Sequence, residues 1–494
     1  MQTKLGYLLA GLLGMLLTVV GCTEKKSDGG SGSGLQPALN LTLLSWDGTC
    51  ATFGAQTLNA THVRALCLAA DAAAPTAAEV YERGTRYTGE RFTIEGLEPM
   101  TAYAAYVVAC NEAGAYGSVQ QVRFTTEYSD PVPYAWESSR TEIPTYTDLV
   151  LCYGGSTHRS PYRWSADRFA PMVSYTDADG KEQWLFDAFL CIEFRMGSYS
   201  INLGQHLDSA TRKQWEELLD YWLGYDTTGV GALEAAVEAA AQRLGPPPTK
   251  RKVVMVLPDP IIYEYYDGSK SATDYWGELD GRRLDFRSTD DRLAACKWFI
   301  DRVRERFAAA DYRYLDLAGF YWIREIVTRP CDTEYSYHLT RSDVLLPRIA
   351  DYLHALGYSW NWIPYYGSRG YDVWRQWGFD QVWLQPNYYW KAERDMASVC
   401  QQIDTLGVGM ELEFEPTLLA ARAGSEPFRE RFRGYLRAAR ERGIYGGRSF
   451  ACYHGTNGLY DLAASADSLD RALYGELCGF LLGNPLRDAV NEEK

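Results

Sequence analysis

The sequence predicts a multidomain chain, a β-sandwich followed by an α/β (β/α)8 TIM barrel, on three observations. Residues 35–126 form short segments with alternating apolar residues, separated by turn residues, which is typical of a sandwich of antiparallel strands. From residue 148 onward, eight apolar runs alternate with amphipathic stretches, as they do in a parallel barrel. Four amphipathic stretches are followed by a glycine, a common stop signal for a helix. These glycines are Gly357, Gly378, Gly407 and Gly443.

The first residues are typical of an export signal. An apolar run at residues 5–20 follows a positive charge, and it is short for a membrane helix of about 20 residues. Residues 19–22 (VVGC) resemble the bacterial lipobox, which implies cleavage before Cys22 and lipidation of Cys22. An ordinary secretory signal, or a short helical anchor with an unmodified cysteine, is the alternative. We therefore expect a lipoprotein signal peptide at residues 1–21 and a flexible Gly/Ser-rich tether at residues 22–34.

Composition limits the class of protein. The 494 residues are 46% hydrophobic and 23% charged, so the chain has enough apolar residues for a large core. The net charge is −15 and no Lys/Arg cluster follows the signal, so nucleic acid is not an expected partner. The chain has 6 His and no pair at metal-ligand spacing, so neither a metal nor a cofactor is predicted. The sequence leaves the oligomeric state open.

The cysteines are less informative. Removing Cys22 leaves ten, an even number that permits five disulfides and proves none. Several lie inside apolar strand-like runs, as Cys152 does, so most are expected to be small buried hydrophobic residues.

The second half of the first module carries a family resemblance. Residues 92–108 (FTIEGLEPMTAYAAYVV) and 122–126 (VRFTT) resemble the E–F corner and the closing strand of fibronectin type III modules. The resemblance implies that the Tyr103 hydroxyl bonds back to the backbone and that Leu97 is buried. The first half has no clear Trp in the B-strand position. We expect a fibronectin type III-like sandwich at residues 35–126 that contains no helix and acts as a spacer, with ligand binding as the alternative.

A proline-containing, semi-stiff linker is predicted at residues 127–145, the barrel at 146–484 and a tail at 485–494. The eight barrel strands are expected at residues 148–153, 184–194, 252–258, 315–326, 358–366, 379–388, 408–415 and 448–454. The intervening helices are expected at residues 166–173, 211–223, 233–244, 290–310, 341–356, 371–377, 393–406, 427–442 and 465–482.

Acidic residues mark the carboxyl ends of predicted strands four and seven, where the chemistry of such barrels takes place. Strand four ends in Arg324-Glu325. In strand seven Glu411, Glu413 and Glu415 alternate with apolar residues, so a period of two places all three in the lumen. Barrel lumens are normally apolar and an unpaired buried charge is costly, so these carboxylates indicate a function. The alternative is a structural network with arginines such as Arg195, Arg324 or Arg448.

Two carboxyl groups that face each other across a cleft are what cleavage of a glycosidic bond requires. The placement resembles the large superfamily of (β/α)8 glycoside hydrolases whose acid/base and nucleophile glutamates end strands four and seven. The resemblance implies that Glu325 is the acid/base and Glu413 the nucleophile or base, with Glu411 roughly 7 Å deeper as a substrate-binding carboxylate. That superfamily has Asn immediately before the acid/base, whereas this chain has Arg324.

The barrel region also resembles a family of exported proteins, the domain of unknown function 4855, many of them from Bacteroides-type bacteria. This resemblance covers most of residues 147–484 and implies location and architecture more than substrate.

Aromatic and amide side chains cluster at the expected barrel mouth, where rings stack on sugar faces and amides bind hydroxyls. With Glu411, the predicted substrate-binding residues are Trp322, Tyr366, Gln385, Asn387, Tyr389 and Trp390.

The sequence therefore predicts a lipoprotein glycoside hydrolase that acts on an extracellular poly- or oligosaccharide by a two-carboxylate mechanism. One alternative is a non-catalytic carbohydrate-binding lipoprotein on the same barrel, and another is an interaction protein that binds through its sandwich. The expected location is the outer membrane or cell surface, anchored through the N-terminal lipid, with the periplasmic face as the alternative.

Overall fold

The computed structural model describes residues 36–46, 50–98, 101–126, 134, 143–154, 162–202, 207–265, 272–327 and 342–487. They divide into two compact units, with the boundary at Thr125 and Thr126. The predicted signal peptide, the tether with Cys22 and most of the predicted linker lie outside the described residues. Within the described ranges no helix is both long and apolar enough to cross a bilayer.

The first unit is a sandwich of two antiparallel sheets. One sheet has the order β1-β2-β5, formed by β1 (Ala38–Trp46), β2 (Cys50–Leu58) and β5 (Arg91–Glu95). The other has the order β4-β3-β6-β7, formed by β3 (His62–Ala69), β4 (Thr85–Tyr87), β6 (Ala102–Cys110) and β7 (Gln120–Thr125). Fully buried Phe53 stacks on Phe92 at 5.3 Å and packs edge-on against Phe124 at 5.8 Å. Phe53 thus supplies the aromatic core contact, and Leu97 is buried as expected.

A helix, α1 (Ala77–Arg83), lies between β3 and β4, so the prediction of a module without a helix was wrong. Thr76 and Glu79 form a capping box: the Glu79 amide donates to the Thr76 hydroxyl and the Thr76 amide to the Glu79 carboxylate. Val80 packs against Tyr106 and the other apolar residues on the outer face of β6. The helix is present because β6 is apolar on both faces and the second face needs cover.

The second unit is a closed barrel of eight parallel strands in sequence order, and the last strand pairs with the first. The strands are β8 (Asp148–Tyr153), β9 (Ala188–Ile192), β10 (Arg251–Leu257), β11 (Leu315–Trp322), β12 (Ser359–Trp362), β13 (Gln381–Leu384), β14 (Gly409–Glu413) and β15 (Phe450–Tyr453). All eight predicted strands are confirmed. Most are shorter than predicted because apolar residues continue into buried loops at the strand ends.

Helices surround the barrel. They are α2 (Ala166–Val173), α3 (Arg212–Leu223), α4 (Val230–Leu244), α5 (Thr289–Ala310), α6 (Ser342–Ala355), α7 (Met396–Leu406), α8 (Glu426–Glu441), α9 (Gly458–Ala464) and α10 (Ser468–Leu482). Two 3-10 helices are Tyr371–Trp377 and Pro416–Leu418. The loops carry short paired strands: Ser174–Thr176 with Glu182–Trp184, Arg195–Met196 with Tyr199–Ser200 and Asp208–Ser209, and Glu278–Leu279 with Arg282–Arg283. The four glycines expected to end helices all have positive φ, between 70° and 82°.

Aromatic and amide side chains fill the lumen toward the amino-terminal ends of the strands. Tyr146 stacks on Trp383 at 5.8 Å, and a Cβ at Gly409 would overlap the Trp383 ring. Across the barrel, the Tyr146 hydroxyl donates to Asn361 Oδ1 at 2.6 Å. The Asn361 amide in turn donates to the Phe320 carbonyl at 2.9 Å. The space for a site therefore lies above this floor, at the carboxyl ends of the strands.

Most of the described cysteines behave as small hydrophobic residues, as the sequence predicts. The buried cysteines with free thiols are Cys110, Cys152, Cys191, Cys296, Cys400, Cys452 and Cys478.

One residue of the predicted linker contacts the barrel. The Tyr134 amide donates to the Gln376 carbonyl at 2.8 Å, and the Tyr134 hydroxyl lies 2.7 Å from His354 Nδ1. His354 Nε2 is 2.7 Å from Asp380 Oδ2, which also accepts a bond from the Trp360 amide. Tyr134 is thereby bound on the amino-terminal side of β12 and β13, so the linker is not a free spacer at this point.

Close packing of β11 on β12 gives a testable prediction. A Cβ at Gly319 would overlap both the hydroxyl and the carbonyl oxygen of Ser359. We expect Gly319→Ala to lower the free energy of unfolding by about 1–3 kcal/mol, because backbone in a closed sheet cannot move away. Gly479→Ala, in helix α10 with no atom within 4 Å of its Cβ, should raise it by about 1 kcal/mol. Urea denaturation measures both, and an unchanged midpoint for Gly319→Ala would contradict the packing.

Candidate active site

Three glutamates meet at the carboxyl end of the barrel. Glu325 follows β11 and is half-buried, whereas Glu411 and Glu413 belong to β14 and are 2% and 1% exposed. Burial raises the pKa of all three carboxyls. The negative charges of Glu413 and Glu325 raise the pKa of Glu411 further, and Glu325 raises that of Glu413. The structure thus brings the carboxylates at the ends of β11 and β14, the fourth and seventh barrel strands, into one electrostatic cluster.

Glu413 is held through one oxygen. Its Oε2 accepts bonds from the Tyr435 hydroxyl and from the Asn387 amide, both at 2.6 Å. Asn387 has a φ of 60°, a left-handed conformation that Asn tolerates better than most residues. Burial raises the pKa of Glu413 to about 8, against the two hydrogen bonds and the charge of Arg394, which lower it. In the part of the chain that the structure describes, Glu413 Oε1 is buried without a hydrogen-bond partner.

Glu411 lies deeper and is surrounded by phenol rings. Burial raises the pKa of Tyr153 and Tyr321 well above 10, and the charges of Glu411 and Glu325 raise it further. Among the described residues, no Lys or Arg nitrogen lies within 4.0 Å of the Glu411 carboxyl. Burial and the charges of Glu413 and Glu325 raise its pKa well above 4.5, which favours the protonated form of Glu411.

Gln385 lies beside Glu325. Its side chain lowers the pKa of the Glu325 carboxyl, against the effect of burial, and donates to the Ile363 carbonyl at 2.8 Å. The backbone amide of Gln385 donates to the Pro364 carbonyl, and the Tyr366 amide donates to the Gln385 carbonyl, both at 2.9 Å. A loop anchored in this way keeps the amide fixed beside the carboxyl group.

Arg324 pairs with Asp259 and not with Glu411 or Glu413. Its Nε lies 3.8 Å from Asp259 Oδ2, and its carbonyl accepts a bond from the Trp362 indole at 2.6 Å. Arg448 pairs with Asp404 at 3.2 Å. These two arginines therefore do not form the structural network considered as the alternative role of the glutamates.

Glu415 differs from its two neighbours in the strand-seven pattern. It is half-buried, and its Oε1 accepts a bond from the Tyr453 hydroxyl at 3.2 Å. It lies beyond the end of β14, where the alternation of the strand no longer applies.

The aromatic residues predicted to bind substrate divide into two groups. Trp390 is 37% exposed and Tyr366 is half-buried, so both have ring surface at the mouth. Trp322 and Tyr389 have no exposed surface, and the Tyr389 hydroxyl is 2.7 Å from Thr417 Oγ1. The stacking role expected of Trp322 and Tyr389 is therefore corrected, because a ring enclosed in the core has no face for a sugar.

A family comparison covers the whole barrel. The model of the family described as Domain of unknown function (DUF4855) matches residues 148–479. The chain belongs to the DUF4855 family. No curated protein matches it.

Solved structures match this DUF4855 protein over small fractions of its length and at low similarity. Chitinase ChiA74 from Bacillus thuringiensis is 16% identical over 18% of this chain and 13% of its own length, with a TM-score of 0.15. The fibronectin type-III domain of human fibronectin type III domain containing protein 3 is 19% identical over 20% of this chain and 92% of its own, with a TM-score of 0.16. The fn3 domain of human collagen alpha-1(XX) chain is 23% identical over 21% of this chain and 97% of its own length, with a TM-score of 0.17.

Several residues of the DUF4855 site were not predicted from the sequence. Tyr435 comes from helix α8, where a tyrosine on the buried face reads as ordinary core. Arg394 lies in a polar loop, and Tyr153 and Tyr321 lie inside apolar strand runs. Only closure of the barrel brings these side chains to the glutamates, so no local spacing marks them. Among the described residues, no group of three or more His, Cys, Asp or Glu has the geometry to hold a metal ion.

The raised pKa of Glu411 predicts a pH-dependent stability. A carboxyl whose pKa is higher in the folded than in the unfolded protein contributes fully to the free energy of unfolding below about pH 4.5. This contribution is lost as the pH rises toward the pKa of the folded state. Glu411→Gln removes that loss, which amounts to at most about 1.4 kcal/mol per pH unit. The melting temperature of the variant, relative to wild type, should therefore rise steadily from pH 5 to pH 8. A difference that stays constant with pH would contradict the burial of a protonated carboxyl.

Proposed function

We propose that this protein hydrolyses glycosidic bonds in a poly- or oligosaccharide, with Glu325 as general acid/base and Glu413 as nucleophile or base. The observation that carries the proposal is the shared cluster of strand-four and strand-seven carboxyls at the barrel mouth. In the described chain no Lys or Arg nitrogen lies within 4.0 Å of either carboxyl. Unpaired buried carboxyls reduce stability, and a two-carboxylate reaction gives a reason to keep them.

The environment of Glu325 suits a proton donor. Burial raises the pKa of its carboxyl, so the protonated form persists at a higher pH than for an exposed glutamate. Half-burial leaves part of the side chain accessible to a leaving-group oxygen. The Gln385 side chain lies beside this carboxyl and lowers its pKa, which offsets part of the effect of burial.

The environment of Glu413 suits the opposite role. Two donors at 2.6 Å hold Oε2 and stabilise the ionised form, while Oε1 has no partner among the described residues. Once ionised, Oε1 is the atom that would attack the anomeric carbon or deprotonate a water molecule. The pKa of about 8 implies that the reactive form increases as pH rises toward that value. Because the glutamates titrate together, the acid limb of a pH–rate profile reports the cluster.

One observation favours a second candidate, a barrel that binds carbohydrate without cleaving it. Glu413 is 1% exposed and is bonded to a side chain of helix α8, which limits access to its carboxyl. A binding protein would still use the exposed Trp390 and the half-buried Tyr366 at the mouth.

Digestion of a glycan panel separates the two candidates. We expect wild type to release products, and Glu325→Gln and Glu413→Gln each to lower kcat by about 10²–10⁴-fold, because each removes a proton-transfer or nucleophilic group. Glu393→Gln, an exposed neighbour on the mouth loop, serves as the matched control and should keep full activity. Wild-type activity should rise between pH 5.5 and 8. Equal product formation by both variants and wild type would refute the assigned roles, and binding without products would favour the second candidate.

We also propose that the mature chain begins at Cys22 and is anchored through a lipid. The lipobox-like residues 19–22 and the short apolar run before them support this proposal. After expression with an alkyne-labelled fatty acid in a bacterial host, wild type should carry the label and sediment with membranes. Cys22→Ser should lose the label and keep its signal peptide, while Cys67→Ala, in the sandwich, should behave as wild type. Label retained by Cys22→Ser would contradict the proposal.

A further inference from the structure

Arg394 lies at the edge of the glutamate cluster. It precedes Asp395, the residue that caps helix α7, on the loop that leaves β13. Its guanidinium carbon is 5.0 Å from the centre of the Tyr366 ring, and its charge lowers the pKa of Glu413. The Tyr366 amide donates to the carbonyl of Gln385, which lies beside Glu325. A cation therefore lies over the Tyr366 ring and within electrostatic range of Glu413.

The charge of Arg394 is not matched inside the protein. The side chain is half-buried, and its Nε is buried without a hydrogen-bond acceptor. Over the residues that the structure describes, no carboxylate lies within 4.0 Å of its guanidinium. Arginines on the neighbouring helix α8 show the usual arrangement, with a carboxylate oxygen at 2.8–3.0 Å: Arg429 with Asp470, Arg433 with Glu476, and Arg437 with Glu430.

This difference has a physical implication. Removing a guanidinium from water is costly unless an anion or several acceptors replace the lost hydration. Stacking on the Tyr366 ring offsets part of that cost and fixes the plane of the guanidinium. It offers no acceptor for the N–H groups, however, and these form a fork whose geometry fits a carboxylate or another oxyanion. An oxyanion of a ligand that displaces water from the half-buried guanidinium would supply such an acceptor.

We infer that Arg394 binds an anionic substituent of the substrate, a sugar carboxylate or a sulfate ester, and so makes the site selective for an acidic glycan. The net charge of −15 distinguishes this cation from a generally basic surface. Because the guanidinium lies over the Tyr366 ring, the acidic sugar ring would bind on the Tyr366 side of the mouth. Trp390, 37% exposed, lies on the same loop and offers a ring face to a neighbouring sugar.

This inference rests on the proposed function for turnover, but binding tests it separately. The probes are pairs of oligosaccharides that differ only in charge: oligomers of galacturonate, glucuronate and mannuronate with their carboxyl-reduced forms, and sulfated galactan oligomers with their desulfated forms. Binding is measured by calorimetry with the full chain carrying Glu325→Gln, and hydrolysis is measured with wild type. The two arms distinguish a carboxylate from a sulfate as the bound group.

We expect at least one acidic oligomer to bind about tenfold or more tightly than its neutral partner. Arg394→Gln should reduce its affinity to that of the neutral form and leave neutral oligomers unaffected. Arg394→Lys, which keeps the charge without the fork, should lose part of the preference. Lys391→Gln removes a positive charge from an exposed position three residues away and should keep the preference for acidic oligomers. Melting temperatures of the variants show whether each one is folded.

The possible results are distinct for the two proposals. Equal affinity for acidic and neutral partners, an acidic preference that survives Arg394→Gln, or no binding to any oligomer overturns the inference. Hydrolysis of acidic glycans that is insensitive to Arg394→Gln also overturns it, while the proposed function stands. An Arg394-dependent preference for acidic oligomers without hydrolysis by wild type supports the inference, while the proposed hydrolase activity fails.

Discussion

Closure of the parallel barrel is the constraint on which the rest of the structure depends. β8 pairs with both β9 and β15, so no strand edge remains and all eight carboxyl ends lie at the same rim. Glu325 and Glu413 are far apart in sequence, and only this closure brings them together. The Tyr146–Trp383 floor then separates the rim from the other end of the barrel. Each residue of the site belongs to its own strand, loop or helix, but closure of the whole sheet determines how these residues are arranged.

Burial of the carboxyls connects stability with the proposed chemistry. A salt bridge would lower the pKa of Glu411 and Glu413, hold them ionised and strengthen the fold. The molecule instead places Arg324 beside Asp259, and burial raises the pKa of both Glu411 and Glu413. This arrangement is costly to folding, and the proposed proton transfer gives a reason for it.

Much of the barrel could be predicted from sequence because its signals are local. Apolar runs identified the strands, and glycines such as Gly407 and Gly378 identified the helix ends. The same signals do not show whether an aromatic side chain near a strand end is buried or exposed. Trp322 and Tyr389 were therefore expected at the mouth, although they lie in the core. Helix α1 was missed although the continuous apolar run of β6 differs from the alternation of a strand covered on a single face, and so indicated a second covering element. Tyr435 and Arg394 reach the site through tertiary contacts that have no counterpart in sequence spacing.

The contact of Tyr134 with the barrel bears on where this protein can be divided. Tyr134 precedes residue 148, where the family match begins, yet its hydroxyl bonds to the buried His354 that contacts Asp380. A fragment cut at the family boundary would leave His354 without that partner and would uncover the side chains beneath the tyrosine ring. The packing of the barrel therefore extends upstream of the region that the family model matches. Dissection of the chain for crystallisation or domain exchange should keep this upstream segment attached.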